Sequence, residues 1–146
     1  MTRSLRMNHR PYNIVLIDDD EIVLDSTTQI LEHLFPKEVI TIHSYQDPDQ
    51  AAKIFSEKDI SVLITDIHMP KKSGDTLIKY FEIKDKKPFL IFATGDKSFS
   101  LASSAYYDDA RFLLLKPFDA KILKEVMDNC IYQLDHWNKI FSPFSR

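Results

Sequence analysis

Five polar side chains stand just after apolar runs and together could handle a charged, oxygen-rich ligand. Asp18 and Asp19 follow Ile14-Val15-Leu16-Ile17, and Asp66 follows Val62-Leu63-Ile64 and Thr65. Thr94 follows Phe89-Leu90-Ile91-Phe92-Ala93, and Lys116 follows Phe112-Leu113-Leu114-Leu115. Three carboxylates brought together repel one another and call for a hard, oxygen-preferring cation such as Mg²⁺. A hydroxyl and an ammonium facing them would bind anionic oxygens. A phosphoryl group completes the set: Asp66 can attack phosphorus as a carboxylate nucleophile while the cation, Thr94 and Lys116 neutralise the transferring oxygens. Each residue alone has an ordinary reading. Asp18-Asp19-Asp20 reads as a solvated turn, Thr94 as a strand-end hydroxyl, Lys116 as a surface lysine. The joint occurrence is what argues for chemistry.

The elements between these residues must bring them together. The apolar runs have the length and continuity of parallel strands covered on both faces. After the first, Val23, Thr27, Ile30, Leu31 and Leu34 recur at helical spacing up to Pro36, with Asp20 as N-cap. Ile40 and Ile42 alternate with Thr41 and His43, the pattern of a half-exposed edge strand. Asp47-Pro48 opens a second helix, to about Ser56. Ser73-Gly74 precedes a third with Leu77, Ile78 and Phe81. A fourth starts at Lys97 or Ser98 and carries Leu101, Ala102, Ala105 and Tyr106. Asp119 caps a fifth, with Leu123, Val126, Met127, Cys130, Ile131 and Leu134 on one face. Five strands alternating with five helices predict an α/β fold, a doubly wound parallel sheet with right-handed crossovers. All its strands deliver their carboxyl ends to one edge, where open α/β sheets bind ligands.

Composition excludes several classes. The chain has 146 residues, 44% hydrophobic and 28% charged, with a net charge of −3. Such a length suits one domain with a real core, and such a charge favours neither nucleic acid nor a membrane surface. Cys130 is the one cysteine, so an internal disulfide and a multi-cysteine zinc site are excluded, and a reducing, cytoplasmic setting is expected. No apolar run approaches a membrane span. With only Gly74 and Gly95 as glycines, neither a P-loop nor a dinucleotide fingerprint can form. His68 lacks a second histidine at ligand spacing, which disfavours zinc. Tyr45, Phe55, Phe81 and Phe89 read as packing residues, and Cys130 as core.

The segments I-V-L-I-D-D-D, L-I-T-D-I-H-M-P-K-K-S-G, F-A-T-G and L-L-L-K-P-F, in that order and spacing, resemble the receiver domain of two-component response regulators. The resemblance covers about Tyr12 to His136. It leaves 1–11 as a flexible tail and 137–146 as a tail or the start of a linker. It implies a flavodoxin-like sheet of order 2-1-3-4-5 and a phosphoryl group accepted on Asp66 from a histidine kinase or a histidine phosphotransfer protein. Asp19 would bind Mg²⁺ directly and Asp18 partly through water, with Asp66 and the His68 backbone carbonyl as further ligands. Thr94 and Lys116 would hold phosphoryl oxygens, and removing Lys116 is expected to spare metal binding. His68, Gly95 and Asp96 would set the lifetime of the phosphoryl group, and the Lys116–Pro117 bond is expected to be cis.

One position departs from the family pattern. Where a tyrosine or phenylalanine commonly switches in concert with the threonine, this chain has Leu113, with Phe112 one place earlier. Adjacent strand residues face opposite ways, so Phe112 could replace the aromatic only across a bulge. Activation is therefore expected around Thr94–Asp96 and the following helix. The face formed by the fourth helix, fifth strand and last helix is the expected contact for a downstream protein or a homodimer. The expected role is a stand-alone signalling phosphoacceptor, catalysing only its own phosphorylation and dephosphorylation. Alternatives are the receiver piece of a larger regulator, a degenerate interaction module, or an aspartate-nucleophile phosphatase of the haloacid dehalogenase type. That last family wants an acid at the place of His68.

Overall fold

The computed structural model describes residues 9–66, 88–95, 98 and 110–144. Its strands are β1 (Tyr12–Ile17), β2 (Ile40–Tyr45), β3 (Ile60–Thr65), β4 (Phe89–Thr94) and β5 (Phe112–Leu115). Its helices are α1 (Glu21–Leu34), α2 (Pro48–Glu57) and α3 (Ala120–Phe141), the last followed by a 3₁₀ turn at Ser142–Phe144. All strands are parallel, in the order β2-β1-β3-β4-β5. This is the expected sheet. The expected third and fourth helices fall outside the described residues, apart from the isolated Ser98.

Side-chain alternation divides the strands between two cores. Ile14 and Leu16, Val62 and Ile64, Ile91 and Ala93, and Leu114 pack on one face with Leu24 and Leu31 of α1 and Leu123, Met127 and Cys130 of α3. Val15 and Ile17, Leu63, and Leu90 and Phe92 pack on the other with Ala51, Ile54 and Phe55 of α2. Burial on both faces explains why the central strands read as unbroken apolar runs. β2 lies at an edge and is mostly half-buried, as its alternating sequence predicts.

Caps set the helix starts. Asp20 accepts from the Ile22 and Val23 amides, Asp47 from Asp49 with Pro48 at the first turn, and Asp119 from Ile122. On α1 the buried stripe is Leu24, Thr27 and Leu31, so Leu24 rather than Val23 faces the sheet. α3 continues past His136 to Phe141 without a break. Nor are all of residues 9–11 loose: Arg10 donates to both carboxylate oxygens of Asp135, at 3.0 and 2.5 Å. The Tyr12 hydroxyl donates to Asp135 at 2.6 Å and accepts from Asn138 at 2.8 Å. Burial and the negative Asp135 push the Tyr12 phenol up to about 12. No α-helix among the described residues is long and apolar enough to cross a membrane.

Candidate functional site

Strand register assembles the site. Ile17 pairs with Thr65, so Asp18 and Asp66 leave the sheet side by side; Thr94 pairs with Leu115, one residue before Lys116. Main-chain bonds carry the pattern past the strand ends. Asp18 donates its amide to Tyr45 at 3.2 Å, Asp66 to Ile17 at 3.1 Å, and Lys116 to Thr94 at 2.7 Å. Four strands thus fix the five residues that the sequence singles out.

Asp18, Asp19 and Asp66 each offer a carboxylate oxygen, all within 4.8 Å of one another. Asp18 is buried, Asp66 half-buried and Asp19 exposed. The Lys116 ammonium donates to Asp18 Oδ2 and, at 2.9 Å, to Asp66 Oδ2. It therefore joins the first and third strand ends across the sheet. Burial pushes the Asp18 carboxyl up, against the pull of Lys116 and of the Asp20 amide that donates to Oδ1 at 2.9 Å. Burial also works against the charged lysine, but the bonds to Asp18 and Asp66 outweigh it and raise the Lys116 pKa. An all-oxygen set with one solvent-facing carboxylate fits a hard divalent cation such as Mg²⁺, whose sites usually keep several waters.

Other residues of the set are placed as follows. Thr94 is buried at the end of β4. A Cβ added at Gly95 would meet nothing within 4 Å, so the surface beside Thr94 is open there. The Lys116–Pro117 peptide is cis. His68 and Asp96 lie outside the described residues. Leu113 packs on the α2 face of the sheet and Phe112 on the α1 and α3 face, in unbroken register with β4. No bulge therefore brings Phe112 to the face of Leu113. Asp20 is a helix cap, as the sequence predicts. Sequence reasoning passed over Thr65, a fully buried hydroxyl that donates to the Asp66 carbonyl at 3.1 Å. A hydroxyl beside the acid, closing an apolar run, was the available signal. The Arg10–Asp135–Tyr12 cluster had none, since Asp135 is over a hundred residues from the other two in the chain.

The family model described as the response regulator receiver domain matches residues 14–128. Sensory transduction protein LytT of Oceanobacillus iheyensis is 27% identical over 118 residues, 80% of this chain and 46% of that protein. The chain spans less than half the length of the curated relatives it matches first. A response regulator receiver domain protein from Clostridium thermocellum has a TM-score of 0.74 at 28% identity, over 86% of this chain and 98% of that one. The signal receiver domain of an HD domain-containing protein from Pseudomonas fluorescens Pf-5 has a TM-score of 0.76 at 21% identity, over 95% and 98%. With the parallel 2-1-3-4-5 sheet and the acidic edge already in place, the chain belongs to the response regulator receiver domain family.

Proposed function

We propose that Asp66 accepts a phosphoryl group from the phosphohistidine of a sensor histidine kinase or a histidine phosphotransfer protein. One observation carries this reading: Lys116 reaches across the strand ends to Asp66 and Asp18, beside three carboxylates whose oxygens lie within 4.8 Å. Asp66 attacks phosphorus through a carboxylate oxygen; a P–O bond forms, the P–N bond to the donor imidazole breaks, and that nitrogen keeps the electron pair. Lys116 and the Thr94 hydroxyl hold oxygens of the transferred group. Asp18, Asp19, Asp66 and the His68 carbonyl would hold Mg²⁺, which when bound supplies positive charge to the phosphoryl oxygens. His68, Gly95 and Asp96 would set how fast water later hydrolyses the acyl phosphate.

The output of this domain is a change of protein contacts in the cytoplasm. The proposed contact face runs along β5 and the start of α3, where Leu115 and Ile122 are each 44% exposed. It would serve a downstream protein or a second copy of the chain. The curated relatives are longer, so a receiver segment within a larger regulator is the second reading. A haloacid-dehalogenase-type phosphatase is disfavoured, because His68 stands where the second acid belongs.

The test is phosphorylation by phosphoramidate or acetyl phosphate with Mg²⁺, followed by intact mass. Wild type should gain one phosphoryl group and Asp66→Asn none. Equal labelling of both proteins, or none with any donor, would sink the assignment and favour a phosphorylation-independent module.

A further inference from the structure

We propose that Thr65 is a positioning residue for the phosphoacceptor, an inference that rests on the reading of Asp66 given above. β3 is buried along its whole length, and its last residue, Thr65, is 0% exposed. Burial alone favours valine there, which has the same shape and no hydroxyl to satisfy. The hydroxyl makes a local bond instead: Oγ1 donates to the carbonyl of Asp66 at 3.1 Å. The last β3–β4 pair is Thr65–Phe92, so this bond sits where the two strands stop pairing.

Among the described residues, three bonds bear on the placement of Asp66. Its amide donates to the Ile17 carbonyl at 3.1 Å, its carbonyl accepts from Thr65, and its Oδ2 accepts from Lys116 at 2.9 Å. The two main-chain bonds fix rotation on both sides of the Asp66 Cα and so fix the direction of its Cα–Cβ bond. The carboxylate can then sit beside Asp18 and Lys116 with little rotational freedom to lose. Pre-set geometry of this kind raises the rate of a nucleophilic step, and it strengthens a metal site to which the same carboxylate contributes. Thr65 touches neither donor nor cation; it acts through Asp66.

The experiment compares wild type, Thr65→Val and Thr65→Ser in two assays. The first measures phosphorylation by phosphoramidate at saturating Mg²⁺. Thr65→Val should lower the maximal rate about tenfold with little change in the half-saturating donor concentration, and Thr65→Ser should recover most of the loss. The second measures Mg²⁺ affinity without any donor. Thr65→Val should bind several-fold more weakly and Thr65→Ser close to wild type. Equal behaviour of Thr65→Val and wild type in both assays would overturn the proposal. So would a serine variant as poor as valine, since packing of the methyl group would then be the cause. A wild type that binds Mg²⁺ but takes no phosphoryl group refutes the phosphoacceptor reading alone, and the metal arm still decides the role of Thr65. A wild type that does neither overturns both.

Discussion

Replacing Lys116 by methionine should weaken the metal-free protein and tighten its hold on Mg²⁺. The ammonium donates to Asp18 and Asp66, and the side chains of Lys116, Asp18 and Asp66 are 19%, 9% and 12% exposed. Removing one partner of a buried ion pair costs about 3–5 kcal/mol. Some solvent reaches all three groups, so the lower end applies, about 3 kcal/mol. The carboxylates left behind have oxygens within 4.8 Å of one another. At an effective dielectric constant of about 20, two unit charges at that separation repel by about 3–4 kcal/mol. A divalent cation relieves that repulsion and no longer has to displace an ammonium. The sequence alone suggests that Lys116 can be removed without affecting the metal; its bond to both carboxylates changes that expectation. If displacing the lysine costs about 1.4 kcal/mol, the variant should bind Mg²⁺ about tenfold more tightly. Saturating Mg²⁺ should then stabilise it by about 1.4 kcal/mol more than wild type. For a chain of this length the extra rise in Tm is roughly 4–6 °C. Thermal melts of both proteins, with and without Mg²⁺, measure the difference, and fluorescence titration checks the affinity. A Mg²⁺ shift equal to or smaller than that of wild type would refute the reasoning.

Asp19→Asn should cut Mg²⁺ affinity tenfold or more while leaving the metal-free Tm unchanged or slightly higher, since one like charge is gone; an unchanged affinity in titration would count against Asp19 as a ligand. At Asp135, the bonds from Arg10, aided by Tyr12, hold the carboxyl below its usual range despite partial burial. A depressed folded pKa gives stability that is present above the unfolded value and lost as pH falls through the folded one. Asp135→Asn should therefore cost about 1 kcal/mol near neutrality, a figure reduced for the exposure of the pair, and the gap to wild type in urea melts should close below about pH 4. Leu113 should keep its rotamer when beryllofluoride and Mg²⁺ are added, with the change centred on 94–96 and the segment that follows; crystal or NMR structures showing a flip at Leu113 would contradict this.

The sheet was legible because burial on both faces forces continuous apolar runs, and β5 was read to its limits from Phe112-Leu113-Leu114-Leu115. The strand-end residues were legible for a related reason. A parallel sheet sends every strand's carboxyl end to one edge, so residues distant in sequence can be assigned to one place. Contacts made by tertiary geometry alone were not legible. That Lys116 spans two carboxylates depends on the strand order and on side-chain reach, neither of which spacing encodes. The extension of α3 was missed because the apolar stripe that packs on the sheet ends at Leu134, while the helix itself continues with exposed Trp137 and Ile140.

The cluster of Arg10, Tyr12, Asp135 and Asn138 has a consequence for access. It fastens the start of β1 at the amino edge of the sheet, and Asp18 lies at the other end of the same strand. Six strand residues separate the two by about 20 Å. The segment entering β1 and the far part of α3 are thus moored together on the side away from the acids. Anything attached to the chain at either place shares one mount, at the opposite end of β1 from the rim that carries Asp66.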